Sequence, residues 1–193
     1  MKITGLVLAA GAGRRLGQPK ALVELDGALL VDRAVQLLTE GGCDEVFVVL
    51  GAAAQDVLAR AQLTAGRTVI AERWEDGQGA SLGAGLAAVA SSDADAVIVA
   101  LVDQPWIGPE AVRRLRDAGE AGAATAVATY DGEPRNPVLL ARPVWEAVGV
   151  SAVGDIGARA WLRANPEHVV AVACDGTGDP RDIDLPSDLP DVR

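Results

Sequence analysis

The stretch LVLAAGAGRRLGQPK, residues 6–20, carries the reading on which the fold turns. The apolar run from Ile3 to Leu8, with β-branched members, stops at Ala9, Ala10 and Gly11, the pattern of a buried parallel strand emptying into a tight loop. Gly11, Gly13 and Gly17 let the loop backbone turn sharply and approach a ligand closely, and Ala12 keeps it thin. Arg14, Arg15 and Lys20 place positive charge in this segment of small residues, a combination that suits a polyphosphate. Only Lys2 and Lys20 among the 17 basic residues are lysines. A compact ammonium on a flexible stem can follow a phosphate as its charge moves.

Other readings of the loop compete. GAGRRLG lacks the third glycine of a dinucleotide fingerprint, and the next strong strand, Val46–Leu50, ends in Gly51 rather than an acid. A Walker loop needs Gly-Lys followed by Ser or Thr, whereas Lys20 follows Pro19 and precedes Ala21. A purely structural glycine turn stays open at this point.

Around this anchor, 193 residues with a 50% hydrophobic fraction are the length and composition of one globular domain, residues 1–193. With 27 acids against 17 bases the net charge is −10, which argues against non-specific binding to nucleic acid or to an anionic membrane. Any anionic substrate must therefore be gripped locally. No apolar run reaches the roughly 18 residues of a membrane span, and the N-terminus enters its strand without a signal core. A cytoplasmic location is expected. Cys43 and Cys174 form neither a metal-ligand cluster nor a C-x-x-C pair, which fits a reducing compartment.

Elements alternate after the loop. Ala21–Leu25 reads as extended and Asp26-Gly27 as a turn, and the apolar spacing from Leu29 to Leu38 is that of an amphipathic helix ended by Gly41-Gly42. Strands at 46–50, 68–71 and 96–102 alternate with helices at 55–62, 81–90 and 110–118. Such alternation means parallel strands with right-handed crossovers. From residue 124 the rhythm changes: apolar segments 124–130 and 138–141 flank the polar stretch 131–136 and read as a hairpin, followed by helices at 143–148 and 156–163, a strand at 169–173 and a proline-broken acidic tail. The expected fold is α/β, a single-domain three-layer α/β/α sandwich with a mixed, mostly parallel sheet.

Asp103 ends the most apolar strand, where open α/β sheets bind ligands, and is the best single candidate to hold Mg2+. The alternative is a turn-capping aspartate. In the tail, Asp182 and Asp184 flank Ile183, so in an extended segment only one of them faces a given ion.

LAAGAGRRLGQPK, GQGASLGAGL from residue 77, VDQP from 102, RNPVLL from 135, GDIGAR from 154 and DIDLPSDL from 182 together resemble the molybdenum cofactor nucleotidyltransferases. Within that group the chain is most similar to the cytidylyltransferases that make molybdopterin cytosine dinucleotide, with Ala10 standing where guanylyltransferases tend to carry a second glycine. The resemblance runs from residue 6 to about 189. It implies attack of the terminal phosphate of molybdopterin on the α-phosphorus of CTP, with loss of pyrophosphate. By resemblance, Leu8, Ala9, Ala10 and Gly11 border base and ribose. Gly11, Ala12 and Gly13 with Arg15 and Lys20 hold the phosphates, Asp103 and Asp184 hold Mg2+, and Ser81 faces the nucleotide unless it simply caps its helix. Trp106, Asn136, Asp155 and Arg159 are the acceptor-side candidates, Trp106 with plain core packing and Asp155 with helix capping as alternatives. The implied partners are CTP and molybdopterin, with room for a client molybdoenzyme. One departure is LPSDL where such tails commonly read TPEDL, Leu185 replacing a threonine. His168, the one histidine, reads as a surface residue. Two other classes stay open: a related enzyme using another triphosphate, such as GTP, or another phosphorylated acceptor, and a non-enzymatic cofactor-insertion partner.

Overall fold

In the computed structural model, which describes residues 1–63 and 66–190, strand β1 (Ile3–Ala9) is covered on both faces. Ile3, Val7 and Ala9 join one apolar cluster, and Leu6 and Leu8 join another on the opposite side. That is why all of β1 is buried and its sequence does not alternate apolar with polar. β1 pairs in parallel with β4 (Val46–Leu50) and β6 (Ala96–Leu101). With β5 (Gly66–Ile70), β7 (Thr125–Tyr130), β8 (Glu133–Ala141) and β9 (Val169–Ala173) they form a seven-stranded sheet in the order β5-β4-β1-β6-β8-β7-β9, with β8 running against the others. Strands β2 (Glu24–Leu25) and β3 (Ala28–Leu29) make a separate small hairpin.

Helices α1 (Leu30–Glu40), α2 (Ala54–Arg60) and α4 (Pro109–Glu120) feed the first cluster through residues such as Leu38, Val57 and Leu115. Helices α3 (Gln78–Ala90), α5 (Trp145–Ser151) and α6 (Arg159–Ala164) feed the second through Leu82, Leu86, Val148 and Trp161. The result is the three-layer α/β/α sandwich with a mostly parallel mixed sheet that the alternation of periods calls for. Among the described residues no helix is long and apolar enough to cross a membrane.

Local departures have local causes. Lys20–Leu22 is a 3-10 turn following Pro19 rather than extended chain, and the strand beyond it is only the two residues of β2. The hairpin turn is Asp131-Gly132 alone, both with positive φ (51° and 77°). Glu133, Pro134 and Arg135, expected in the loop, pair with Tyr130, Thr129 and Ala128 at the exposed end of β8, and a register shift separates them from the buried Val138 pairing. Helix α6 starts at Arg159, three residues later than the spacing indicates, because Gly154–Ile156 forms a 3-10 turn of its own. Asp191, Val192 and Arg193 of the tail lie outside the described residues.

One side chain ties the second helical layer to the sheet. Arg142, just past β8, donates from Nε to Ala94 O (2.7 Å), from Nη1 to Ala90 O (3.2 Å) and from Nη2 to Ser92 O (2.6 Å), and its guanidinium lies 4.8 Å from the Trp145 ring centroid. These carbonyls belong to the C-terminus of α3 and the turn after it, where a cation also meets the negative end of the helix. Arg142→Ala is expected to cost about 2 kcal/mol, since charge-assisted bonds to carbonyls left without another donor are lost together. In a melting experiment this is a fall in Tm of roughly 4–8 °C; an unchanged Tm would show the clamp to be ornamental.

Candidate active site

The loop after β1 is folded around its own carbonyl. Leu16 N and Gly17 N both donate to Gly13 O at 2.9 Å, and Leu16 is buried, pinning the loop to the core. Gly13 has φ +59°, and a Cβ there would lie 1.9 Å from Gln18 O. Among the described residues no acceptor takes the amide hydrogens of Gly11, Ala12, Gly13, Arg14 or Arg15. Five successive amides without an acceptor, with Arg15 on the same loop, are available to an anion.

Lys20 follows this loop, its backbone held by the 3-10 turn whose Ala21 and Leu22 are buried. Its Nζ lies 2.5 Å from Asp103 Oδ2 and 2.7 Å from Asp184 Oδ1, and Arg15 Nη2 lies 3.0 Å from Asp184 Oδ2. Burial opposes the Lys20 charge, but the Asp103 and Asp184 carboxylates outweigh it and hold the ammonium above the usual lysine value. The hydrogen bond from Lys20 holds Asp184 below the usual carboxylate range, with the charges of Lys20 and Arg15 adding to it. Two carboxylates thus converge on one cationic point. Asp103 Oδ1 is buried and has no hydrogen-bond partner among the described residues.

That donor set fits a hard divalent ion. Among the described residues no group of three or more His, Cys, Asp or Glu is arranged to hold a metal alone. Mg2+ in nucleotide enzymes needs only one or two carboxylates, the rest of its shell coming from phosphates and water.

The tail reaches the site as a strap. Ile183 is fully buried and its N–H donates to Asp103 O at 2.8 Å, while Gln104 Nε2 donates to Pro180 O (3.0 Å) and Asp182 Oδ1 (2.8 Å). The expectation that Asp182 and Asp184 face opposite ways needs correcting, because this segment is not regular strand and both residues line the same cleft. Their surroundings differ. Burial, then the negative Asp103, raises the Asp182 pKa, whereas Asp184 is paired with cations.

The cleft has a volume of about 560 Å3 and opens outside the carboxyl ends of β1 and β6 on the α3 side. The structure brings Leu8, Ala10, Gly11, Ala12, Gly13, Arg15, Lys20, Ser81, Asp103, Asp155, Arg159 and Asp184 to its wall. Ala9 is not there, since it points into the opposite core and is 1% exposed. Trp106 is not there either: its ring packs on the first cluster beneath the Arg181 guanidinium, 4.1 Å from the centroid. Asn136 stands on β8 outside the cleft. Ser81 is the fourth residue of α3 and 4% exposed, so it is not an N-cap. Asp155 sits in the 3-10 turn at 154–156 and does not cap α6, whose N-cap is Ala158. His168 is on the surface.

The wall also contains residues that sequence reasoning missed: Trp74, Glu75, Gly77 and Gln78 from the entry to α3. Their signal was the close contact between Gly77 and Gly154-Asp155, where a Cβ would come within 2.5 Å of the Gly154 carbonyl carbon. Sequence spacing does not show such a contact.

Residues 5–172 match the family model described as the MobA-like NTP transferase domain. Among curated relatives, the chain is 40% identical to nicotine blue oxidoreductase of Paenarthrobacter nicotinovorans, covering 94% of this chain and 92% of that one. It is 33% identical to a molybdenum cofactor guanylyltransferase of Rhodobacter capsulatus, covering 98% and 94%. Among solved structures, Rv0371c of Mycobacterium tuberculosis superposes with a TM-score of 0.85 at 31% identity, covering 97% and 95% of the two chains. The same protein has been solved as a manganese complex (TM-score 0.82, 29% identity, covering 97% and 96%).

Proposed function

The chain belongs to the MobA-like NTP transferase family, and from that premise we propose that it transfers CMP from CTP to the terminal phosphate of molybdopterin with the help of a divalent ion, Mg2+. The observation that carries this reading is the convergence of Lys20, Asp103 and Asp184 beside the free amides of Gly11–Arg15. It provides cations for a triphosphate and carboxylates for a metal within one cleft.

In the proposed reaction an acceptor phosphate oxygen forms a bond to the α-phosphorus, the bridging bond to the β-phosphate breaks, and pyrophosphate leaves. Such a displacement depends on alignment and charge neutralisation more than on a nucleophile from the protein. The loop amides and Arg15 hold the phosphates, and Lys20 follows the charge that accumulates on the leaving group. Asp103 and Asp184 would hold the metal, which would supply neutralisation of phosphate charge. An acceptor phosphate is already ionised near pH 7, so no histidine base is needed, in keeping with the surface position of His168. Arg159 and Asp155 line the cleft and are assigned to the acceptor. Trp106 and Asn136 are not. The proposal places the reaction in the cytoplasm, with a client molybdoenzyme as the receiver of the product.

The ion pairs of this cluster can be tested through their charges. With Lys20 lying between both carboxylates, a divalent ion alone must displace an ammonium. Lys20→Met is therefore expected to bind Mn2+ without nucleotide several-fold more tightly than wild type, although it transfers nucleotide poorly. Weaker Mn2+ binding, followed by calorimetry, would place the ion elsewhere.

CTP is preferred over GTP in this reading because Ala10 carries a methyl group at the strand end. The guanylyltransferase relative favours GTP instead. Ala10→Gly is expected to shift the ratio of kcat/KM for CTP over GTP toward GTP by roughly 10-fold or more. A wild-type preference for GTP would overturn the cytidylyl assignment and keep the transfer. The relative named nicotine blue oxidoreductase favours a redox reading. Redox turnover of nicotine blue without pyrophosphate release from either triphosphate would replace the transferase reading.

A further inference from the structure

The chain holds four tryptophans. Trp145 and Trp161 are buried in the second cluster, and Trp106 is packed beneath Arg181. Trp74 is different: it is half-buried and is the one aromatic residue in the cleft wall among the described residues. It opens the 3-10 turn Trp74–Asp76 that leads into α3, with Trp74 N donating to Ala71 O (3.2 Å) and Gly77 N to Trp74 O (3.1 Å).

What fixes this ring is the end of β4. A Cβ on Gly51 would lie 2.5 Å from Trp74 Cγ, 2.6 Å from Trp74 Cβ and 2.9 Å from Ala10 Cβ. The requirement at Gly51 is room, because the clash falls on the rigid root of the indole and not on a flexible tip. Trp74 is thus seated directly on the chain at the mouth of β4, with the Ala10 methyl beside it. β4 flanks β1 on one side, and β6, which delivers Asp103, flanks it on the other. A nucleotide with its phosphates over the loop and a metal held by Asp103 would extend its base end toward the β4 side, where Leu8, Ala10 and Trp74 line the cleft.

Building on the proposed nucleotidyl transfer, we infer that Trp74 is the stacking platform for the nucleobase, seated by Gly51, and that Ala10 influences base choice through the position of that ring. Stacking on an indole face contributes to the binding of any base and is separate from phosphate recognition. The two contributions can be measured apart.

The experiment is equilibrium binding of CTP, GTP and inorganic tripolyphosphate to the full chain with Mg2+ and no acceptor, for wild type, Trp74→Phe, Trp74→Ala and Gly51→Ala. Trp74→Ala is expected to weaken both nucleotides about tenfold to a hundredfold while tripolyphosphate changes less than about twofold, and Trp74→Phe recovers most of the loss. Gly51→Ala, which pushes the ring off its seat, is expected to weaken the nucleotides in the same direction. Equal loss of nucleotide and tripolyphosphate in both Trp74 variants would make the residue scaffold, and unchanged nucleotide binding in Trp74→Ala would remove the platform; either overturns the inference and leaves the transfer reading intact. Wild-type protein that binds neither CTP nor GTP would overturn the transfer reading and the platform together.

Discussion

Replacing Asp103 with asparagine is expected to lower kcat/KM for nucleotidyl transfer about a thousandfold, because the loss of a metal-holding carboxylate removes several kcal/mol of charge stabilisation. The fold should survive. The substitution is isosteric, and the bond from Ile183 N reaches the backbone oxygen of Asp103, not its side chain. Melting temperature therefore separates the two effects: activity collapses while Tm stays within a few degrees. Near wild-type turnover at saturating Mg2+ would refute the assignment of Asp103. Asp184→Asn is expected to be harmful but milder. Asp182→Asn should be the mildest, since Asp182 is engaged by Gln104 and not by the cations of the site. The reverse order for the two tail residues would mean that the strap presents its other carboxylate to the ion.

Gly13→Ala is expected to have the second-largest effect, a loss of about a hundredfold or more in kcat/KM, read mainly as a rise in KM for the triphosphate. With φ +59° and a methyl carbon 1.9 Å from Gln18 O, the strain falls on backbone and cannot be relieved by a rotamer change. The loop must reorganise, and its row of free amides is lost with it. Gly11→Ala is the control. Nothing in the protein lies within 4 Å of a Cβ at Gly11 and its φ is not in the left-handed region, so the loop is not strained there, and a smaller loss of no more than about tenfold, from crowding of the bound triphosphate alone, is expected. Equal damage from both substitutions would show that the loop tolerates no side chain at all and that the Gly13 conformation is not the reason.

The residues legible in the sequence are those whose role follows from local pattern. Lys20 and the glycine loop stand directly after a strand whose apolar run is unbroken, and Asp103 ends another such strand, so the topology alone carries both to the same edge of the sheet. The three-layer sandwich was readable for the same reason, since buried parallel strands and amphipathic helices differ in period. What was not legible depends on contacts distant in sequence. Trp106 reads equally as acceptor-side or as core from its place after Asp103, and its packing on the first cluster beneath Arg181, 75 positions away, favours the core reading. Asp182 and Asp184 reach one cleft because the chain bends around the buried Ile183, which no alternation rule foresees. Trp74 lies outside every motif of the sequence and Gln78 carries no assigned role within its own; both line the cleft, where Gly77 closely approaches Gly154 and Gly51 closely approaches Trp74. Asn136 fell outside because the polar segment around it is paired strand, not loop.

The most direct test follows the phosphorus atoms. With CTP radiolabelled at the α-phosphate, molybdopterin, Mg2+ and wild-type protein, the label is expected to move into a dinucleotide containing the pterin, with one unlabelled pyrophosphate released per transfer. The transfer should vanish on chelation of the metal and fall sharply in Asp103→Asn. Label that stays in CTP, or appears only as free CMP while molybdopterin is unchanged, would contradict nucleotidyl transfer to this acceptor.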